Sequence, residues 1–75
     1  MKLKTFDRVN VAVQAEYTVW DRKTDALLDN FYVDFAKPYP DDGITKVLDL
    51  IHRGADVQYV RVNNASGLLD VTVIV

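Results

Sequence analysis

Residues 38–54, PYPDDGITKVLDLIHRG, constrain the fold of this chain more than any other stretch. Pro38 and Pro40 lack the N–H that a strand ladder needs, so an extended run must end there. Asp41 or Asp42 can then accept from the free N–H groups of a first helical turn, and a carboxylate suits the positive end of the helix dipole. Ile44, Val47, Leu48 and Ile51 follow at helical spacing and leave Lys46, Asp49 and Arg53 outside. Gly54 supplies a left-handed stop behind Arg53. The pattern predicts a helix over about residues 42–53. The aspartate pair is read as its start rather than as a divalent-cation site, because no third or fourth oxygen ligand is spaced for one.

On both sides of this helix the sequence changes to a period of two. Residues 8–20, RVNVAVQAEYTVW, place Val9, Val11, Val13, Ala15, Tyr17 and Val19 on one face, which predicts a long half-buried strand. A polar turn, DRKTD, leads to a second strand with Leu27, Phe31, Val33 and Phe35 in phase and Leu28, Asn30, Tyr32 and Asp34 opposite. DVQYVRVN reads as a third strand with a break in phase: either it bulges near Gln58, or Val60 and Val62 face the core and Tyr59 lies on the open side with Arg61. The turn NNASG leads to LLDVTVIV, with Leu69, Val71, Val73 and Val75 in phase.

The order β-β-α-β-β makes one domain over residues 1–75, of the α+β class. A right-handed crossover is met by a four-stranded antiparallel sheet in the order 2-1-3-4, with one helix on one face of a two-layer sandwich. The expected core is Val9, Val11, Val13, Tyr17, Phe31, Val33, Phe35, Ile44, Val47, Leu48, Ile51, Leu69, Val71 and Val73. In that order the C-terminal strand is an edge with little charge, so a homodimer through it is expected. Strand two, with Asp25, Asp29 and Asp34, is the protected edge.

Composition narrows the function. Seventy-five residues bury only about 60% of their unfolded surface, so the core is thin. The chain has no cysteine, which removes disulfides and thiolate metal sites. A net charge of −2 argues against a nucleic-acid surface. Ten of the eleven acids are Asp, a turn and cap residue. There is no secretory signal pattern and no apolar run long enough to cross a membrane, so the expected location is cytoplasmic.

No catalytic constellation emerges. His52 is the only histidine and sits in the last helical turn; the only serine, Ser66, lies in a turn, so no Ser-His-Asp arrangement can be read. Glu16 and Asp34 point to the open face without a cleft to desolvate them. The three glycines are each explained by a turn or a helix end, so no phosphate-cradling loop is read. No catalytic, cofactor-binding or metal-binding residue is assigned.

The open face of the sheet is the informative surface. Trp20, Tyr32, Tyr59, Arg61, Ile74 and Leu28 project from it in the strand phases above, and Trp, Tyr and Arg dominate interface energetics. Trp20, Tyr32, Tyr59 and Arg61 are therefore the candidate protein-binding residues. The expected function is a small non-enzymatic module that blocks or redirects a larger protein partner, with a homo-oligomeric structural subunit as the alternative. Stacking of single-stranded nucleic acid needs flanking basic charge, and here only Arg61 supplies it.

Residues 40–62, PDDGITKVLDLIHRGADVQYVRV, resemble small bacteriophage proteins that bind and inhibit host machines, the inhibitors of bacterial RNA polymerase among them. The shared layout is a strand pair, an acid-capped helix, a small-residue break and a strand ending in a Val-Arg run. The C-terminal strand here departs from that layout. The resemblance implies a compact inhibitor or adaptor of a phage or mobile element, and no functional residue is carried over from it.

Overall fold

A computed structural model describes residues 1–9, 14–38 and 41–75, with the side chain of Val9 left aside. In chain order the elements are α1 (Leu3–Val9), β1 (Gln14–Trp20), β2 (Leu27–Asp34), α2 (Asp42–His52), β3 (Asp56–Val62) and β4 (Leu69–Ile74). The class is α+β, as the sequence predicts. The helix begins and ends where its signals stand. Asp41 is the N-cap, its carboxylate accepting from Gly43 N at 3.1 Å and Ile44 N at 3.4 Å. Arg53 closes the helix, and Gly54 follows in the left-handed region at φ 73°.

The sheet order differs from the expectation. It is β2-β1-β4-β3, not 2-1-3-4, and it is mixed: β1 pairs antiparallel with β2 but parallel with β4. Each hairpin forms as read, and the order of the two hairpins decides which strands are interior. β4 carries three consecutive buried residues, Val71, Thr72 and Val73, so both of its faces are shielded. That is the property of a central strand. β3, with Asp56, Gln58 and Arg61, takes the edge. The expected homodimer through a C-terminal edge strand is thereby overturned, because β4 lies between β1 and β3.

The N-terminal expectation also changes. The strand read over residues 8–20 begins at Gln14, and Arg8 and Val9 belong to a second helix, α1. Leu3 and Phe6 stand three apart and give α1 its apolar face; Leu3 is fully buried and Phe6 packs against the same core. Seven residues are too few to hold a helix alone, so α1 depends on that contact. Val11 and Val13, expected in the core, lie outside the described residues.

Both helices cover one face of the sheet, where the cross-strand register gives three rows: Val33–Ala15–Leu69–Val62, Phe31–Tyr17–Val71–Val60 and Asp29–Val19–Val73–Val57. Tyr17, Val33, Val47, Val71 and Val73 are buried as expected; Phe31, Phe35, Ile44, Ile51 and Leu69 pack at the margin. Leu48 is a correction, being 41% exposed, while Leu50 is buried in its place. Gly43 explains the helix rotation. A Cβ there would stand 2.8 Å from the Tyr32 carbonyl oxygen and 3.2 Å from Val33 Cα, so Gly43 is where α2 touches β2. The line Gly43, Val47, Leu50, at intervals of four and three, then faces the sheet.

Candidate protein-binding face

The opposite face of the sheet has no helix among the described residues, and its register also gives rows. Leu27–Trp20–Ile74–Asp56 runs across the end next to the β1–β2 turn. Asn30–Thr18–Thr72–Tyr59 comes next, followed by Tyr32–Glu16–Asp70–Arg61. Trp20, Tyr32, Tyr59 and Arg61 therefore share this face. Two strand irregularities shape it. The shift between Val57 and Tyr59 leaves Gln58 as an extra residue, so β3 bulges and also turns Val60 and Val62 to the helix side. The shift beside Val19 and Trp20 places Leu27 opposite Trp20 on the open face. Leu28, read from the sequence as open-face, lies with Val19, Phe31 and Leu50 in the groove beside α2.

Trp20 is the best-positioned of the four. Its strand pairs on both sides, and beyond it the Trp20 carbonyl accepts from Val75 N at 3.0 Å while Arg22 N donates to Val75 O at 2.8 Å. The half-buried indole lies between Leu27, which is 55% exposed, and Ile74. Trp20, Ile74 and Gln58 line an open groove of about 420 Å³, rimmed by Asp21, Arg22 and Asp25. The rim is electrostatically fixed. The Arg22 guanidinium donates to Asp56, and with Lys2 Nζ 3.3 Å from the same carboxylate it holds Asp56 below the usual carboxylate range. The backbone N–H of Lys23, donating at 2.8 Å, likewise lowers Asp21.

The four candidate residues do not form one cluster. Tyr59, 54% exposed, is diagonal to Ile74 across the β3–β4 pair and extends the apolar end. Tyr32, 47% exposed, is on the far edge strand. Three strand spacings, roughly 14 Å, separate it from Arg61. Between them lies a polar centre. Asn30 Nδ2 donates to Thr18 Oγ1 at 3.1 Å and to the Tyr17 carbonyl at 3.2 Å. Asp70 Oδ2 accepts from Arg61 Nε at 3.3 Å and Asn63 Nδ2 at 3.5 Å, so Arg61 is tied down on its own face. Glu16 adjoins Asp70 on the parallel pair, and Asp34 lies opposite Gln14 rather than beside Glu16. Leu27 is the exposed apolar residue of this face that the sequence reading missed. Its signal was the Leu27-Leu28 pair, whose phase depends on the irregularity beside Trp20.

His52 is exposed at the end of α2, and the Ser66 hydroxyl accepts from Leu68 N at 3.2 Å within its turn. Among the described residues no helix is long and apolar enough to cross a membrane. No protein-family description, no curated protein and no solved structure matches the chain.

Proposed function

We propose that this chain is a small non-enzymatic protein-binding module that grips a larger protein through the helix-free face of its sheet. In this reading it blocks or redirects that partner in the cytoplasm, as an inhibitor or adaptor of a phage or mobile element. The observation that carries the reading is the apolar row of exposed Leu27 with half-buried Trp20 and Ile74, and exposed Tyr59 at its diagonal, on a face that no helix covers among the described residues. A rigid indole at the head of a groove is the kind of anchor around which interface energy concentrates. The remainder of the face carries Glu16, Asp34 and Asp70 against Arg61, while Asp56 is already paired with Arg22 and Lys2. The fitting partner surface therefore presents an apolar projection flanked by Lys or Arg, and a phosphate backbone would meet repulsion.

The test is capture from bacterial lysate by the wild-type chain, by Trp20→Ala/Tyr59→Ala and by Leu48→Ala. A protein retained by wild type and Leu48→Ala but lost by the double variant, and altered in its own activity by the purified chain, supports the module. A protein lost only with Leu48→Ala moves binding to the helix side and overturns it. The alternative, a homo-oligomeric assembly subunit, draws on the outer edge of β3, where no strand lies beyond residues 58–62 among the described residues. Large oligomers with no captured protein would establish that alternative instead.

A further inference from the structure

Among the described residues the outer edge of β3 is covered only at its start. Leu3 N donates to the Ala55 carbonyl at 2.8 Å and Val57 N to the Met1 carbonyl at 2.7 Å, so residues 1–3 pair with residues 55–57. From Gln58 to Val62 no strand lies outside β3 among the described residues. At the far end the turn closed by Asn63 N donating to Leu68 O, at 2.9 Å, takes the chain away. Apart from the bulge at Gln58 the uncovered stretch is little guarded: Val62 is 65%, Tyr59 54% and Val60 37% exposed. Its one formal charge, Arg61, is engaged by Asp70. The β2 edge carries Asp29 and Asp34 and runs on to Lys37 and Pro38, which discourage strand addition.

We infer that residues 58–62 of β3 pair antiparallel with the same residues of a second copy of this chain, about a two-fold axis at Val60. The join would make one continuous sheet from two. The register follows from three constraints. A symmetric pairing about Val60, the midpoint of 58–62, uses the whole free segment, whereas any other centre leaves part of it unpaired. Slippage toward Tyr59 runs the Asn63 turn of one copy further into residues 1–3 of the other, whereas slippage toward Arg61 moves it away.

Directly opposed residues of an antiparallel pair share a face, which leaves Tyr59, Val60 or Arg61 as centres. Centring on Tyr59 opposes the bulged Gln58 to Val60. Centring on Arg61 opposes two guanidinium groups, which repel. Centring on Val60 sets it against its own copy on the helix side, where α2 leaves Val60 and Val62 uncovered. On the open face the same register sets each Arg61 against Tyr59 of the second copy, a favourable cation–aromatic pair formed twice. An unrelated strand would satisfy the hydrogen bonds but not this reciprocity, so a second copy is the occupant that the residues fit.

The pairing draws Tyr59 and Arg61 from the open face, but its test variants leave that face untouched, because Val60 projects to the helix side. Its test is sedimentation of the full chain from micromolar to millimolar concentration, with Val60→Lys, with Val60→Glu, and with the two mixed. Wild type should dimerise, each variant should be monomeric through like charges meeting at the axis, and the mixture should recover the dimer. A monomeric wild type, dimers that persist in either variant, or a mixture of folded variants that stays monomeric would each overturn the pairing. The chain has no cysteine, which gives a second measurement should the charged variants unfold. Val60→Cys should cross-link with itself at least about tenfold faster than Val62→Cys, which faces Gln58 of the other copy; equal rates contradict the axis.

Discussion

Asp25 and Gly67 occupy the same position in two turns with the same hydrogen bonds. Asp25 N donates to the Asp21 carbonyl at 2.8 Å and Gly67 N to the Asn63 carbonyl at 2.8 Å. Asp21 N and Asn63 N each donate to a carbonyl five residues on, at 2.9 Å in both cases. The side chains of Asp21 and Asn63 each accept from the N–H two residues later. Both turns need a left-handed residue, met by Asp25 at φ 58° and Gly67 at φ 73°. The first hairpin thus meets with an aspartate a demand that the second meets with glycine, because Asp tolerates that region better than most residues.

A substitution at Gly67 should follow backbone conformation alone, since a Cβ there meets nothing within 4 Å. Gly67→Asp should cost less than about 1 kcal/mol, and Gly67→Val about 1–2 kcal/mol, the ordinary penalty of a left-handed residue. Urea unfolding of the two variants checks the difference.

Gly43→Ala should destabilise by about 1–3 kcal/mol, the cost of forcing atoms into a packed contact. Helix propensity alone would stabilise it by about 1 kcal/mol. The sign of the change, read in the same denaturation experiment, therefore reports whether α2 touches the β2 backbone at Tyr32 and Val33.

Leu50→Ala should cost about 2–5 kcal/mol, whereas Leu48→Ala at the exposed position should cost much less. Comparable midpoints for the two variants would reverse the rotation of α2. This pair shows where the sequence was legible and where it was not. The start, end and period of the helix could be read, but Gly43, a residue without a side chain to contribute to any apolar stripe, sets which side faces the sheet. The hairpins were legible for the same reason, as local alternation. Their order was not, because a 2-1-3-4 and a 2-1-4-3 sheet both satisfy two hairpins and one crossover. The deciding signal was Val71-Thr72-Val73, shielded on both faces and so interior. The alternating valines 9, 11 and 13 concealed the Leu3 and Phe6 spacing that builds α1. On the open face all four candidate residues were placed correctly, while Leu27 and Leu28 exchanged sides at an irregularity that alternation cannot show.

Tyr17 carries the pH dependence. Its hydroxyl is buried without a hydrogen-bond partner among the described residues, and its ring stacks on Phe31 at 5.4 Å. Burial, with the negative charge of Asp7 second, raises its pKa well above the tyrosine range. A raised folded-state pKa means stability that is complete below the ordinary tyrosine value and lost as pH climbs through the folded one. The Tyr17 phenol should stay un-ionised across the usual tyrosine range and ionise with unfolding, as ultraviolet titration of wild type against Tyr17→Phe would show. Tyr17→Phe removes a partnerless hydroxyl and should be neutral or stabilising by about 1 kcal/mol.

Asp7 behaves in the same sense at low pH. Burial raises its carboxyl, so its protonated form favours folding and the advantage disappears as pH rises through the folded pKa. Asp7→Asn should therefore stabilise the chain at neutral pH and lose that advantage below the ordinary carboxylate range. A melting-temperature series against pH, run on both proteins, reads the crossover.

The central claim is that Trp20 and Tyr59 anchor a protein partner on the helix-free face. Titration calorimetry of the captured partner against wild type, Trp20→Ala/Tyr59→Ala and Leu48→Ala tests it most directly. The account predicts a loss for the double variant of at least about 2 kcal/mol, roughly thirtyfold in Kd, with Leu48→Ala unchanged. A double variant that stays folded and binds as wild type does, while Leu48→Ala loses affinity, would contradict it.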